Sequence, residues 1–202
     1  MPYLYDHELW DQVDPSHCWV FDKAVLARRL GHRSGPAGVP VPEPGDYVVR
    51  PCINLWGMGR GARIQRLESE TINIIPDGSF WSERFWGDHV SIDYHHGQQG
   101  LTVLGLRTDP DRLDRFREWR RIDHPFELPP VLAEVAQHYA DFNVEIIGHR
   151  VIEAHFRSNP DWQDHDAHTI YPRWREDPDL YPDLPYVESQ DEDRLGFWLS
   201  DK

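Results

Sequence analysis

Two stretches of the 202-residue chain bring together residue types that can do chemistry. The first is GMGRGA, Gly57 to Ala62, which follows the β-type run YVVR. Glycines let backbone N–H groups close around a phosphate, and Arg60 inside the loop adds positive charge. The loop is neither a Walker loop, which needs GK[ST], nor a dinucleotide fingerprint, because no helix-forming run follows it. Two readings stay open for it, a glycine-rich hairpin turn and a nucleotide clamp. The second stretch is NVEIIGHRVIEAHFRSNPD, residues 143–161. A three-residue turn at Gly148-His149-Arg150 would set Glu145 and Glu153 opposite each other on one face, with His155 one alternation further. Two such carboxylates form a hard oxygen site, suited to Mg²⁺ or Mn²⁺ bound jointly with substrate phosphates. Outward carboxylates on a solvated sheet are the alternative. The alternate positions Val144, Ile146, Ile152 and Ala154 are apolar and predict a buried opposite face, so the acidic face must line solvent or a cleft.

Other chemistries find less support. None of the twelve histidines has an acid two positions on, the opening of a two-histidine-one-carboxylate triad, and no H-E-x-x-H occurs. His165 and His168, within DHDAH, read as a surface turn at the head of an acidic segment. No G-x-S-x-G marks a nucleophile, and Cys18 has only His17 as a neighbouring base. Six arginines lie between 107 and 121, interrupted by four acids, and read as a solvated helix face.

The elements that must position these residues follow from periodicity and turn signals. Phe21–Leu30 reads as a helix with Asp22 or Ser16 as its cap and Gly31 as its stop. Four prolines in GPAGVPVPEPG exclude regular structure there. Tyr47–Arg50, Arg63–Leu67, Thr71–Ile75, Ser79–Trp86, His89–Tyr94 and Leu101–Leu106 read as strands. Pro110–Glu118 and Pro130–Phe142 read as helices, and Val144–Ile147 with Val151–Ala154 as a final hairpin. The order helix, antiparallel strands, helices, hairpin predicts an α+β fold.

Three zones differ in composition: a polar and aromatic N-terminal segment (1–19), a periodic body (20–170) and a Pro-rich acidic tail (171–202). The aromatic end of that tail, Phe197 to Leu199, is expected to pack back on the body. The net charge is −14, and eight acids between Glu176 and Asp193, with no Lys or Arg among them, carry more than half of it. That balance argues against a polyanionic partner, nucleic acid or membrane surface, yet leaves room for a small anion. No apolar run approaches a membrane span, the first ten residues do not read as a secretory signal, and two cysteines make no disulfide framework. A cytoplasmic setting is expected.

Taken in order, these pieces resemble the ATP-grasp domain of carboxylate–amine and carboxylate–thiol ligases. FDKAVLARRLG…GVPVP resembles the family's Asp-Lys helix and its following turn. DYVVRP and GMGRGA resemble its strand and mobile glycine loop, with Arg50 where lysine is usual. SERFWGDHVSIDY resembles the hinge strand, and VEII…VIEAHFR the metal hairpin, in an E-x-N-x-R variant with His155 in place of the asparagine. The resemblance spans about residues 20–160. It implies antiparallel sheets with flanking helices and a nucleotide cleft between two subdomains. It further implies that Lys23 and Arg50 contact nucleotide phosphates and that Gly57, Gly59, Arg60 and Gly61 form the phosphate lid. Glu83, Phe85 and Trp86 would be the adenine hinge, with Glu83 reaching the exocyclic amine, and His89 would take the ribose position. Glu145, Glu153 and His155 would hold Mg²⁺, with Mn²⁺ as the alternative, and Arg157 would steady the acyl phosphate or tetrahedral intermediate.

The implied activity is an ATP- and Mg²⁺-dependent ligase that activates a carboxylate as an acyl phosphate and joins it to an amine or similar nucleophile. A phosphotransferase and a degenerate nucleotide-binding assembly module are the alternatives. Family members usually carry a substrate domain before the Asp-Lys helix, where only some twenty residues stand here. The aromatic tail, a partner chain or the substrate itself is expected to build the acceptor site for a small-molecule or peptide-like substrate.

Overall fold

A computed structural model describes residues 5–55, 57–69, 75–163, 165–178, 180–189, 191 and 193–202. Its elements in chain order are α1 (Asp6–Leu9), α2 (Lys23–Arg29), β1 (Ser34–Pro36), β2 (Gly45–Pro51), β3 (Arg63–Leu67), β4 (Ser79–Glu83), β5 (His89–His95), β6 (Gln98–Leu106), β7 (Glu118–Arg121), α3 (Pro130–Ala136), β8 (Asp141–Ile147), β9 (Arg150–His155), β10 (Thr169–Trp174), β11 (Tyr186–Glu188) and β12 (Arg194–Ser200). They form two antiparallel sheets. The smaller runs β1-β4-β2-β3 and the larger β11-β12-β10-β7-β6-β5-β8-β9. The architecture is α+β, with helices flanking the sheets. Among the described residues no helix is long and apolar enough to cross a membrane.

The helix α2 begins where Asp22 accepts from the backbone N–H of Ala24 and Val25, and Gly31 ends it in the left-handed region that a Cβ would disfavour. Its Leu26 packs with Val20 and Phe21 against Val90, Ile92, Val144, Ile146 and Ala154, together with Leu132 and Val135 of α3. This core covers one face of β5, β8 and β9, so the alternate side chains of those strands, His89, Ser91, Glu145 and Glu153, turn to the other face. The small sheet has its own core of Val41, Tyr47, Val49, Leu67, Ile75 and Trp81.

Several sequence expectations give way here. Residues 110–118 form turns leading into β7 rather than a helix. The three-residue spacing of Leu113, Phe116 and Trp119 imitates a helical face, but Phe116 and Trp119 pack flat over Gly105, where a Cβ would meet both rings at 2.7 Å. The helix after Pro130 stops at Ala136, because Asp141 and Phe142 already pair with β5. Pro36 ends an edge strand within the proline-rich stretch, and β4 stops at Glu83. The C-terminal zone is not an extended tail: β10 and β12 pair along their lengths inside the large sheet, and Phe197 and Trp198 are buried. The boundary at 170/171 therefore falls inside β10. The strand expected at Thr71–Ile75 lies, up to residue 74, outside the described residues.

Candidate active site

Between the two sheets lies a cleft of about 380 Å³. Val48 and Arg50 of β2 and Ser82 of β4 form one wall; His89, Ser91, Asn143, Glu145, Glu153 and Arg107 belong to the other. The glycine loop enters with Gly57, Met58 and Gly59, and the segment Arg84–Asp88 closes the back. That segment leans on the β8–β9 turn: Gly148 N–H donates to Asp88 O at 2.8 Å, and a Cβ on Gly87 would stand 2.8 Å from the Gly148 Cα.

Glu145 and Glu153 do face each other, but by a different route from the one their spacing suggests. Ile147 pairs with Arg150 across a two-residue turn, and the register then slips so that Ile146 opposes Val151 while Glu145 opposes Glu153. Ile152 is the extra residue of a β-bulge. The bulge takes Ile152 out of the apolar face, puts Val151 there instead, and leaves the Ile152 carbonyl to accept from Arg50 Nη2 at 2.9 Å.

The floor of the cleft is a chain of buried charges. Lys23 Nζ sits 2.6 Å from Glu153 Oε1, with both side chains under a tenth exposed. Glu145 Oε2 accepts from His89 Nε2 at 2.9 Å, and His89 Nδ1 lies 2.8 Å from Arg107 Nη2. Arginine can only donate, so His89 Nδ1 is the acceptor and its proton stands on Nε2. Burial pushes the Glu145 carboxyl up, but the His89 hydrogen bond and the bases around it outweigh that and hold it at about 2. Burial lowers the Arg50 guanidinium, and Glu153 and Glu145 work against that shift. Arg50 is nine-tenths buried, and its Nε has no hydrogen-bond partner.

The third glutamate-strand residue behaves differently. His155 Nδ1 is 2.6 Å from Asp6 Oδ2, and its Nε2 is 3.5 Å from Glu153 Oε1. Its Nδ1 is thus engaged by Asp6, and its Nε2 faces Glu153. Among the described residues no group of three His, Cys, Asp or Glu is arranged to hold a metal ion. Glu145 and Glu153 each spend one oxygen on a base and keep hard oxygen donors on the cleft side, a set that fits Mg²⁺ shared with phosphates but not a site with His155 as third ligand.

Other expected site residues divide. His89, Glu83, Phe85 and Trp86 border the cleft, and the Glu83 carboxylate accepts from Arg33 N at 2.9 Å and from Arg33 Nε at 3.4 Å. The Phe85 ring meets His32 edge-on, and Trp86 is largely exposed beneath the Arg84 guanidinium. Gly57, Met58, Gly59 and Gly61 all have positive φ, and Met58 is held there against its side chain's preference. Arg60 does not line the cleft; its Nη2 bonds Asp191 Oδ2 at 2.6 Å. Lys23 lies under the floor, behind Glu153.

The remaining residues of the cleft carry little signal in the sequence. Arg107 was one of six arginines in a run read as a solvated face; the signal was its place at the end of the apolar run Leu101–Leu106. Asp6, Asn143, Asn159, Asp191 and Arg194 carry no motif. Asp93 is buried, accepting from Asn143 Nδ2 and Asn159 N at 2.8 Å, and burial raises its carboxyl to about 6.

No protein-family model and no curated protein matches the sequence. Solved structures do. The chain is similar to a protein from Archaeoglobus fulgidus assigned to the ATP-grasp superfamily, at 15% identity over 90% of this chain and 65% of that one, with TM-score 0.46. It is similar to the ATP-grasp ligase PsnB, solved with a phosphomimetic variant of minimal precursor, Mg and ADP, at 17% identity over 72% and 52% of the two chains, TM-score 0.45. It is also similar to the D-alanine–D-alanine ligase of Bacillus anthracis complexed with ATP, at 14% identity over 74% and 58%, TM-score 0.43. The likeness is to ATP-grasp proteins. The chain spans between about half and two thirds of the length of these structures. With every TM-score below 0.5, the functional reading rests on the cleft's own residues.

Proposed function

We propose that the cleft binds ATP and that the chain acts as an ATP- and Mg²⁺-dependent ligase, joining a carboxylate to an amine or similar nucleophile. The observation that carries this reading is Arg50. Its charge is buried at the mouth of a small cleft, its Nε lacks a partner, and a left-handed glycine loop lies over the same space. A buried guanidinium N–H left without an acceptor, as Nε is among the described residues, is costly unless an anion answers it. A nucleotide phosphate does so, and a cleft of 380 Å³ is in the range that takes a small ligand.

The residues then have separable duties. Arg50 and Arg107 would neutralise phosphate charge, while Arg157 would face the charge that develops at the transferred group. Glu145 and Glu153 would hold Mg²⁺, which would screen the phosphates when bound. A carboxylate oxygen of the first substrate attacks the γ-phosphorus, the bond to the ADP oxygen breaks, and an acyl phosphate forms. The amine nitrogen then attacks the acyl carbon and inorganic phosphate leaves. Asp161, Trp174, Asp191 and Arg194, which border the far end of the cleft, would help shape the acceptor site.

One set of contacts favours a second reading, a nucleotide-binding module without ligase chemistry: His155 is taken by Asp6, and Glu83 by Arg33. Wild-type protein is expected to melt several degrees higher with millimolar ATP and MgCl₂, and the Arg50→Met variant to show little of that shift, because a ligand that binds only the folded chain must stabilise it. An equal shift in both proteins would remove Arg50 from the site. Phosphate release that depends on added carboxylate and amine would favour the ligase over the module.

A further inference from the structure

We propose that Asp6, from the N-terminal segment, is a positioning residue of the cleft that holds Arg157 and His155 in their working orientations. The inference rests on the nucleotide reading given above and extends it to a part of the chain that no motif touches.

Asp6 is 1% exposed, although it stands in a four-residue helix near the start of the chain. Its two carboxylate oxygens are divided between two partners about 150 residues away in sequence. Oδ2 shares a hydrogen bond with His155 Nδ1 at 2.6 Å, and Oδ1 stands 3.2 Å from Arg157 Nε as an ion pair without hydrogen-bond geometry. A carboxylate that deep in the protein is tolerated only where bases surround it. Burial raises the Asp6 carboxyl, but His155, Arg157 and Lys23 together bring it below its ordinary value, so it stays ionised.

The division of contacts has a directional consequence. The guanidinium beside Asp6 is fixed at two points, Nε against Asp6 and Nη1 donating to Ser158 O at 3.3 Å, and its Nη2 comes within 3.8 Å of where a Cβ on Gly57 would stand. Nη2 is thus presented beneath the glycine loop, where phosphate oxygens would lie. By engaging His155 through Nδ1, Asp6 turns the opposite ring nitrogen to Glu153, whose other neighbour is Lys23. A row of close charges, Asp6, His155, Glu153 and Lys23, with the His155–Glu153 step the longest at 3.5 Å, braces the glutamate from below. This accounts for a histidine at a position where the resemblance implies a metal ligand: the ring links two carboxylates and leaves the oxygen donors to Glu145 and Glu153. Tyr5, the preceding residue, borders the cleft itself, so the segment is part of the site's wall.

The test compares AMPPNP with AMP, both with MgCl₂, binding to the wild-type chain and to Asp6→Asn, by calorimetric titration. Asparagine preserves the shape and removes the charge that fixes Arg157. The expected result is at least a tenfold loss of AMPPNP affinity with AMP affinity unchanged within threefold, because only the longer ligand reaches under the glycine loop. A merely structural Asp6 would weaken both ligands alike, or neither. Asp6→Gly is expected to recover AMPPNP affinity in added formate, which fits the buried hole. Should Asp6→Asn not fold, Asp6→Ser, which also removes the charge, is measured in its place with the same outcomes. Equal AMPPNP affinity in wild type and variant, or parallel loss of both ligands without formate recovery, overturns the assignment of Asp6. A wild-type chain that binds neither ligand overturns the nucleotide reading itself, and this inference with it.

Discussion

The floor and the lid of the cleft are both held by ion pairs, but the two sets differ in what surrounds them. On the floor, Lys23 and Glu153 are 6% and 8% exposed in their side chains, and Asp6 and His155 only 1% and 5%. At the glycine loop, Arg60 is 46% exposed where it meets Asp191, itself 10% exposed, and the loop that carries it runs through four left-handed residues, one of them Met58. Buried pairs are expensive to break singly, since the partner is left charged and dry. Half-exposed pairs contribute little and exchange readily with water. The floor is therefore held by pairs dry on both sides, whereas the glycine loop is held by a pair with one side open to water. Under the proposed nucleotide reading, the floor would supply preformed charge to the phosphates and the loop would close over them.

This contrast can be broken in several places. Lys23→Met should lower stability by about 3–5 kcal/mol, because Glu153 would remain buried without its cation, and urea unfolding would measure it. Asp93 makes a pH prediction. Its carboxyl is raised to about 6 in the folded chain against an ordinary 3.8, so the folded state holds the proton more tightly. The stability it contributes is complete below about pH 4 and is lost as pH rises through 6. Asp93→Asn should flatten that slope and exceed wild type at pH 7 by up to about 3 kcal/mol, as seen in unfolding curves collected from pH 4 to 7. On the lid, Asp191→Asn should leave stability within about 1 kcal/mol of wild type yet speed trypsin cleavage after Arg60 several-fold. Unchanged cleavage would mean that the loop is fixed by something other than that pair. Arg66→Ala, removing a pair that is more than half exposed on both sides, should change stability by less than about 0.5 kcal/mol.

The same contrast explains what could be read in the sequence. Alternation in NVEII and VIEAH exposes the core face of the hairpin directly, so Glu145 and Glu153 fall on one side by counting. Their being opposite was reached for a different reason, since a two-residue turn and a bulge at Ile152 together reproduce the register of a three-residue turn. Asp22 and Gly31 mark the helix ends because capping is local chemistry. Asp6 and Arg107 were invisible because their roles depend on partners 149 and 18 residues away, and neither spacing has a period. The C-terminal zone looked like a tail because proline and acid dominate its composition. Yet β10 and β12 need only six or seven pairing residues each to enter the sheet, and those flank the acidic stretch rather than lie within it. The stretch at 110–118 failed for the opposite reason: a helical spacing of apolar residues was real, but tertiary packing on Gly105 used it for turns and a strand.

The most direct test of the account is a calorimetric titration of AMPPNP with MgCl₂ into wild-type protein and into Arg50→Met at matched stability. The account predicts binding to the wild-type chain and at least a tenfold weaker affinity in the variant, from loss of a buried charge on the phosphate. The same affinity in both, or no binding to the wild-type chain, would contradict it.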